Sequence, residues 1–360
     1  MKKALKIIGA VLAALVGLAA VGLLVLTVAE YKPAEREKIA VDGNAGKTLS
    51  VGDTVKVLCW NVGYGALGDN ADFFMDGGTH VQTADVARVR KNLEDITSFI
   101  QGEEADLVLT QETDLNSDRS HHVNEVEALS GAMTGYTSMF AYNYIALYVP
   151  FPLPPLGHVE AGLLTLSAYP VADAERMQLP CPFSWPIRLA NLKRCLLVSR
   201  IPLEGSGKEL VLVNLHLEAY DDGSGKAAQT VAVAQLLREE AEKGNYVIAG
   251  GDFNQLFSNV ETGWKVKEGL WVPGRIDVNA FGSQLRCLMD ARVPSCRSLD
   301  QPYAGADQES FQYYLIDGFI VSDNLEVENL ETVSLGFTAS DHNPVRLTVR
   351  LQEMTDAQGD

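Results

Sequence analysis

The sequence has no Cys-x-x-Cys pair, no internal repeat and no low-complexity block. The first absence removes the usual zinc and thioredoxin-type sites. Basic residues are scarce, with 29 Lys and Arg against 47 Asp and Glu and a net charge of −18. Setting aside the first thirty residues, which hold three Lys and one Glu, leaves 26 basic against 46 acidic residues, or −20. Such a field repels polyanions at long range and disfavours avid non-specific nucleic-acid binding, unless a local basic patch or divalent cations reverse it. Cysteine is sparse too: Cys59, Cys181, Cys195, Cys287 and Cys296. Outside the cell, Cys181–Cys195 and Cys287–Cys296 are the locally plausible disulfides, with Cys59 the buried odd one; all five as free thiols is the other reading.

What is present is globular: 47% hydrophobic and 21% charged residues over 360 positions bury a large core. Lys2, Lys3 and Lys6 precede an uncharged run, Ile7 to Ala29, that Glu30 ends. As a helix this run reaches about 35 Å, enough to cross a bilayer. The lysines place its amino end in the cytoplasm and the remainder outside, a single-pass cell-membrane protein with an extracytoplasmic domain. A cleaved signal peptide is the rival, since Thr27-Val28-Ala29 loosely fits a small-x-small site. Signal h-regions are shorter, which favours a retained anchor. Residues 31–50 read as a polar tether, 51–351 as one domain, and 352–360 as a polar tail.

Thr54 to Asn61 and Asp106 to Thr110 read as strands, with helical spacing of Val86, Val89, Leu93, Ile96 and Ile100 between them. Strand, helix, strand implies a right-handed crossover. Ala161 to Ser167, Lys193 to Ile201 and Leu210 to Leu217 read as strands, the last two as a hairpin. Lys226 to Lys243 reads as a helix with Ala227, Val231, Ala234 and Leu237 on one face, and Tyr314 to Val321 and Val345 to Leu351 as closing strands. Hairpins mixed with crossovers predict an α/β fold of two packed mixed sheets with helices outside. Long irregular stretches, Gly63–Thr83, Asn116–His158, Val171–Leu192 and Asn254–Gln312, are candidates for substrate contact.

The chemistry gathers at strand ends. Tyr246-Val247-Ile248-Ala249 leads into Gly250-Gly251-Asp252-Phe253-Asn254. The glycines allow a tight turn or a close approach, and alternation aims Asp252 and Asn254 the same way. A carboxylate beside a carboxamide can orient or deprotonate a water and hold an oxygen, as attack on phosphorus requires. Asn61 closes the first strand, Gln111 and Glu112 the second. Asn214 and His216 share a face. Asp317 interrupts an apolar strand and needs a partner, for which His342 in Ser340-Asp341-His342-Asn343-Pro344 is the natural one. Each residue alone has a bland explanation as a turn former, cap or core histidine.

Together, the ordered set WN-x-G, QE, N-x-H, GDFN, IDGFI and SDHNPV resembles the endonuclease/exonuclease/phosphatase superfamily, over roughly Val51 to Leu351. The resemblance implies a four-layered, DNase I-like α/β sandwich, two face-to-face mixed sheets flanked by helices, with the site at one edge. It implies phosphoester hydrolysis dependent on Mg²⁺ or Mn²⁺. Carried over, Glu112 would be the principal metal ligand, with Asn61 and Asp341 near it. Asp252 would activate water and Asn254 would hold a phosphate oxygen. His342, oriented by Asp317, would touch phosphate or act as acid or base, and Asn214 and His216 would bind from the other side. Arg119 is either a phosphate clamp or a surface salt bridge.

Many nucleases of the family carry an acidic residue two after the first Asn; here Gly63 and then Tyr64 stand there, making Tyr64 a candidate substrate contact. Lys and Arg are not abundant in the long loops, where the adjacent pair Lys193-Arg194 and Arg275 stand out. Tyr142 to Leu156 is instead aromatic, apolar and proline-rich: a rigid, partly buried loop, or a wall for an apolar or membrane-borne substrate. The partners expected are a phosphoester substrate and the membrane, with no obligate protein partner. A lipid or small phosphoester is slightly favoured over nucleic acid, and a non-catalytic scaffold is the reading from another class.

Overall fold

In the computed structural model, which describes residues 1–353, the uncharged run folds as one helix, Lys2–Val28. None of its residues is buried. Among the described residues it is the one helix long and apolar enough to cross a bilayer, a property a signal sequence shares.

The domain is built on two seven-stranded sheets. One runs in the order 36–38, 173–178, 195–202, 209–216, 246–252, 317–322, 285–288; the other runs 325–332, 345–351, 54–61, 107–114, 157–167, 137–149, 42–43. Each sheet holds one parallel pair, Glu209–His216 with Tyr246–Asp252 and Thr54–Asn61 with Leu107–Asp114. Each pair is joined through a helix, Ser224–Glu242 or Val86–Glu103, as a parallel connection requires. Asp85 starts the second of these by accepting a bond from the Arg88 amide at 2.8 Å.

Strand alternation makes the layers. Val57, Cys59, Leu107 and Leu109 face Leu210, Leu212, Ile248 and Phe319 in the core between the sheets. The alternate residues Leu58, Trp60 and Val108 turn outward onto Leu93, Ile96 and Ile100 of the Val86 helix. On the opposite outer face Val211, Val213 and Val247 meet Val233, Leu236 and Leu237. The expected four-layered, DNase I-like sandwich is what forms.

Several local expectations give way. The supposed tether docks as edge strands, Arg36–Lys38 on one sheet and Asp42–Gly43 on the other. Thr137–Val149, expected to be irregular, is a thirteen-residue strand, and Asp173–Gln178 and Leu325–Thr332 are further strands. The Ser224 helix buries Val233, Ala234, Leu236 and Leu237 while Ala227 and Val231 are exposed, because Lys226, Gln229, Thr230 and Glu240 fill the rest of its inner face. All five cysteines are free. Cys181 is exposed while Cys195 is buried, and Cys287 and Cys296 belong to different apolar clusters, so neither suggested disulfide forms. Of the predicted polar tail, residues 354–360 lie outside the described residues.

Candidate active site

Parallel strands end on the same edge, so the two crossovers bring Asn61, Glu112, His216 and Asp252 to one end of the sandwich. Asp252 sits at the centre of its sheet, with His216 beside it in register on one side and Asp317 on the other. Its two glycine neighbours are there for packing. A Cβ on Gly250 would lie 2.6 Å from the Phe319 ring, and one on Gly251 would lie 1.9 Å from the Leu215 carbonyl. The bulky object that approaches this backbone is therefore the protein itself.

Asn61 stitches the two sheets together. Its Nδ2 donates to Glu112 Oε1 at 3.2 Å and to Asp252 Oδ2 at 3.1 Å. Glu112 occupies a left-handed conformation (φ 51°) where the register of its strand shifts, a bulge that turns its side chain into the cleft. Asn254, also left-handed, donates its amide to Asp252 Oδ1 at 2.8 Å and its Nδ2 to the Leu217 carbonyl at 2.9 Å.

His342 Nδ1 and Asp317 Oδ2 are 2.8 Å apart, and Nε2 lies 3.8 Å from Asp252 Oδ2. Burial opposes charge on this ring, but Asp317, Cys296 and Asp341 outweigh it and hold His342 well above the usual histidine range. His216 is its opposite. Burial, with Arg194, His342 and Arg119 nearby, holds it well below that range, and its Nε2 lies 3.5 Å from Asp252 and 3.9 Å from Glu112. Burial, reinforced by the Asp317 charge, raises Asp252 above ordinary carboxylates. Burial also pushes Asp341 up to about 6, with His342 working against the shift and Glu112 for it.

A cavity of about 380 Å³ opens over this floor, lined by Glu112, His216, Asp252, Asn254, Asp341 and His342. Asn61 and Asp317 stand behind it. Asn214 does not reach it: its Nδ2 is spent on the Thr110 and Leu164 carbonyls and its Oδ1 accepts from Gln111, all in the facing sheet. The expected phosphate-binding role for Asn214 is therefore corrected to a bridge between sheets. Arg119 lines the cavity, but it is no surface salt bridge. It is buried, holds Asp114 with two bonds of 2.7 and 3.1 Å, and stacks 3.8 Å over the Tyr64 ring. The Tyr64 hydroxyl, on the same wall, is buried with no partner among the described residues.

Sequence reasoning missed Asp76 and Tyr220, which face the floor and bond to each other at 2.9 Å. Burial pushes Asp76 up to about 7, against its bond from Tyr220 and with repulsion from Asp341 and Glu112. The available signal was their place in or beside long loops, Asp76 directly before Gly77-Gly78.

Hard donors suited to a divalent cation are present. Glu112 and Asp341 both line the cavity, and among the described residues neither lies within ion-pair distance of Lys or Arg. Negative charge sheltered in this way, with Asp341 buried and Glu112 half-buried, calls for a cation. Two tighter donor groups, Asp252–Asp317–His342 and Cys296–Asp341–His342, also occur. The first is already joined by the His342–Asp317 bond, and the second offers a thiol that burial pushes up to about 12, a poor partner for a hard ion.

Residues 58–342 match the Endonuclease/Exonuclease/phosphatase family, and the chain belongs to it. None of the curated proteins matches. Among solved structures, the chain is similar to an endonuclease/exonuclease/phosphatase from Beutenbergia cavernae (17% identity, 84% of this chain and 73% of that one, TM-score 0.54). It is also similar to the human Nocturnin catalytic domain with bound sulfate (13%, 83% and 94%, 0.51) and to D. rerio TDP2 with a single-strand DNA product (14%, 83% and 99%, 0.51). At these identities the likeness is one of fold.

Proposed function

From membership in that family, we propose that the chain is a membrane-anchored, outward-facing phosphoesterase that depends on a divalent metal, Mg²⁺ or Mn²⁺. The observation that carries this reading is the convergence of Glu112, Asp252, Asp341 and the Asp317–His342 pair on one cavity floor. Glu112 and Asp341, with the Asn61 carboxamide beside them, would hold the metal, which when bound neutralises phosphate charge. Asp252, kept basic by burial and fixed by Asn61 and the Asn254 amide, takes a proton from water. The water oxygen bonds to phosphorus as the ester P–O bond breaks. Protonated His342, oriented by Asp317, supplies the proton to the departing oxygen, and the proton on Asp252 restores it across the 3.8 Å gap. Neutral His216, the partnerless Tyr64 hydroxyl and Arg119 supply contacts for phosphate oxygens.

The substrate favoured is a lipid or small phosphoester, because Phe73, Phe74, Val149, Phe151 and Leu156 give the cavity an apolar wall, beside Asn143, Arg194 and Glu218. The alternative is a nuclease, a reading supported by the DNA product in the D. rerio neighbour and opposed by the acidic surface. A scaffold would have no need of these uncompensated buried acids. The test is a Mg²⁺-dependent hydrolysis panel on the full chain in detergent, with lipid, inositol phosphate, DNA and RNA substrates, EDTA controls and Asp252→Asn. Hydrolysis lost in both controls supports the reading; hydrolysis that persists in both overturns it.

A further inference from the structure

Two loops frame the apolar side of the cavity, and both carry large apolar side chains that none of the described residues covers. Phe151 and Leu153, in the proline-rich loop after the Thr137–Val149 strand, are 73% and 85% exposed. Trp185 and Ile187, in the second loop, are 48% and 60% exposed. The loops are neighbours: Ala190 and Leu192 of the second pack against the apolar cluster that holds Val149 and Leu156 of the first, and the Tyr144 hydroxyl donates to the Ala190 carbonyl at 2.8 Å. Scattered apolar side chains are ordinary on a surface. Four on adjacent loops whose Phe151, Ala190 and Leu192 line the cavity form a patch that needs an occupant.

The occupant is indicated by what the second loop is tied to. Trp185 Nε1 donates to Thr27 Oγ1 at 3.1 Å, in the last turn of the apolar helix. One step farther along the chain, Arg188 clasps Glu30 with bonds of 2.9 and 3.3 Å, and Lys193 lies 3.6 Å from the same carboxylate. If the helix spans a bilayer, this latch holds the patch at the level where the helix leaves it. Tryptophan, with an apolar body and a polar N–H, suits that level.

We infer that Phe151, Leu153, Trp185 and Ile187 seat in the outer face of the bilayer, and that the cavity takes a phospholipid headgroup from it, the acyl chains passing along the apolar wall. The inference rests on the phosphoesterase reading of the cavity floor and adds the substrate class and its route. It explains why a protein of strongly acidic net charge has an apolar cavity wall: the substrate is delivered by the membrane and not gathered by charge.

The experiment uses the full chain in vesicles of phosphatidylcholine, phosphatidylglycerol and phosphatidylinositol. Brominated lipid is expected to quench tryptophan fluorescence, and Trp185→Phe to remove most of that quenching, since Trp60 is buried and Trp264 and Trp271 are partly buried against apolar clusters. No quenching, or quenching unchanged in Trp185→Phe, overturns the seating. Leu153→Asp with Ile187→Asp, outside the catalytic floor, is expected to lower vesicle-lipid hydrolysis about tenfold while hydrolysis of soluble bis(p-nitrophenyl) phosphate stays unchanged. Equal loss on both substrates, or none on vesicles, overturns the route. A wild type that cleaves the soluble diester or nucleic acid but no vesicle lipid overturns the lipid assignment and leaves the phosphoesterase reading standing. A wild type inert to every substrate overturns the phosphoesterase reading and the substrate class with it, and the quenching result then speaks only for the seating.

Discussion

Two sets of carboxylates, buried or half-buried, lie in this domain, and they differ in what faces them. Asp114, Glu218 and Glu240 each meet an arginine, Arg119 at 2.7 Å, Arg194 at 3.1 Å and Arg200 at 2.8 Å. Glu112 and Asp252 meet the Asn61 carboxamide and histidines instead, and Asp341 meets the Ser340 hydroxyl, all at the cavity floor. In the first set charge is balanced within the fold, and removing one partner strands the other. In the second, negative charge is left over, which costs stability and leaves room for a cation, a water and a phosphate. Balanced acids hold the frame; unbalanced ones are available for chemistry.

The largest expected effect tests the second set. Asp252→Asn should lower turnover by about 10³-fold or more while thermal stability holds or rises, because a strained buried charge is removed. Paired activity and melting measurements check this, and a large stability loss would place Asp252 with the balanced acids. Asp114→Asn should act on stability instead, costing about 3–5 kcal/mol by stranding Arg119, as urea unfolding would read. Next, Mg²⁺ or Mn²⁺ at about 100 times its Kd should stabilise the chain by about 2.7 kcal/mol. Melting curves of Glu112→Gln with Asp341→Asn should lose that increment; if it is kept, the ligands lie elsewhere.

The smallest effect is a pH dependence in the frame. Burial works to raise Glu240, but bonds from Arg200, Lys243 and Asn245 overcome it and bring it down to about 2. A lowered acid stabilises the fold above its unfolded pKa and loses that contribution as pH falls toward the folded value. About 2 kcal/mol should therefore disappear between about pH 4.5 and 2, and Glu240→Gln should flatten that limb of an acid-unfolding series.

The motifs were legible because strand ends declare themselves: an apolar run stops at a polar residue, as at Asn61, Glu112 and Asp252. The Asp317–His342 pairing followed from the cost of an unpartnered acid inside an apolar strand. Other roles depended on neighbours far along the chain. Asn214 and His216 share a face, yet the facing sheet consumes Asn214 and leaves His216 at the cavity. Arg119 read equally as clamp or surface pair until its burial over Tyr64 was seen. Thr137–Val149 was hidden because its aromatic, half-buried pattern runs straight into a proline-rich loop. Asp76 had no signal beyond its loop.

The sequence by itself determined the apolar helix, the crossovers, the layered fold and the order of polar strand ends, since these follow from period, length and local steric preference. Tertiary structure alone decided which acids keep an arginine, which polar residues reach the cavity, and that a loop 158 residues from Thr27 bonds to the end of the helix. Those outcomes depend on distance and burial between remote segments, and neither is a property of any one stretch of chain.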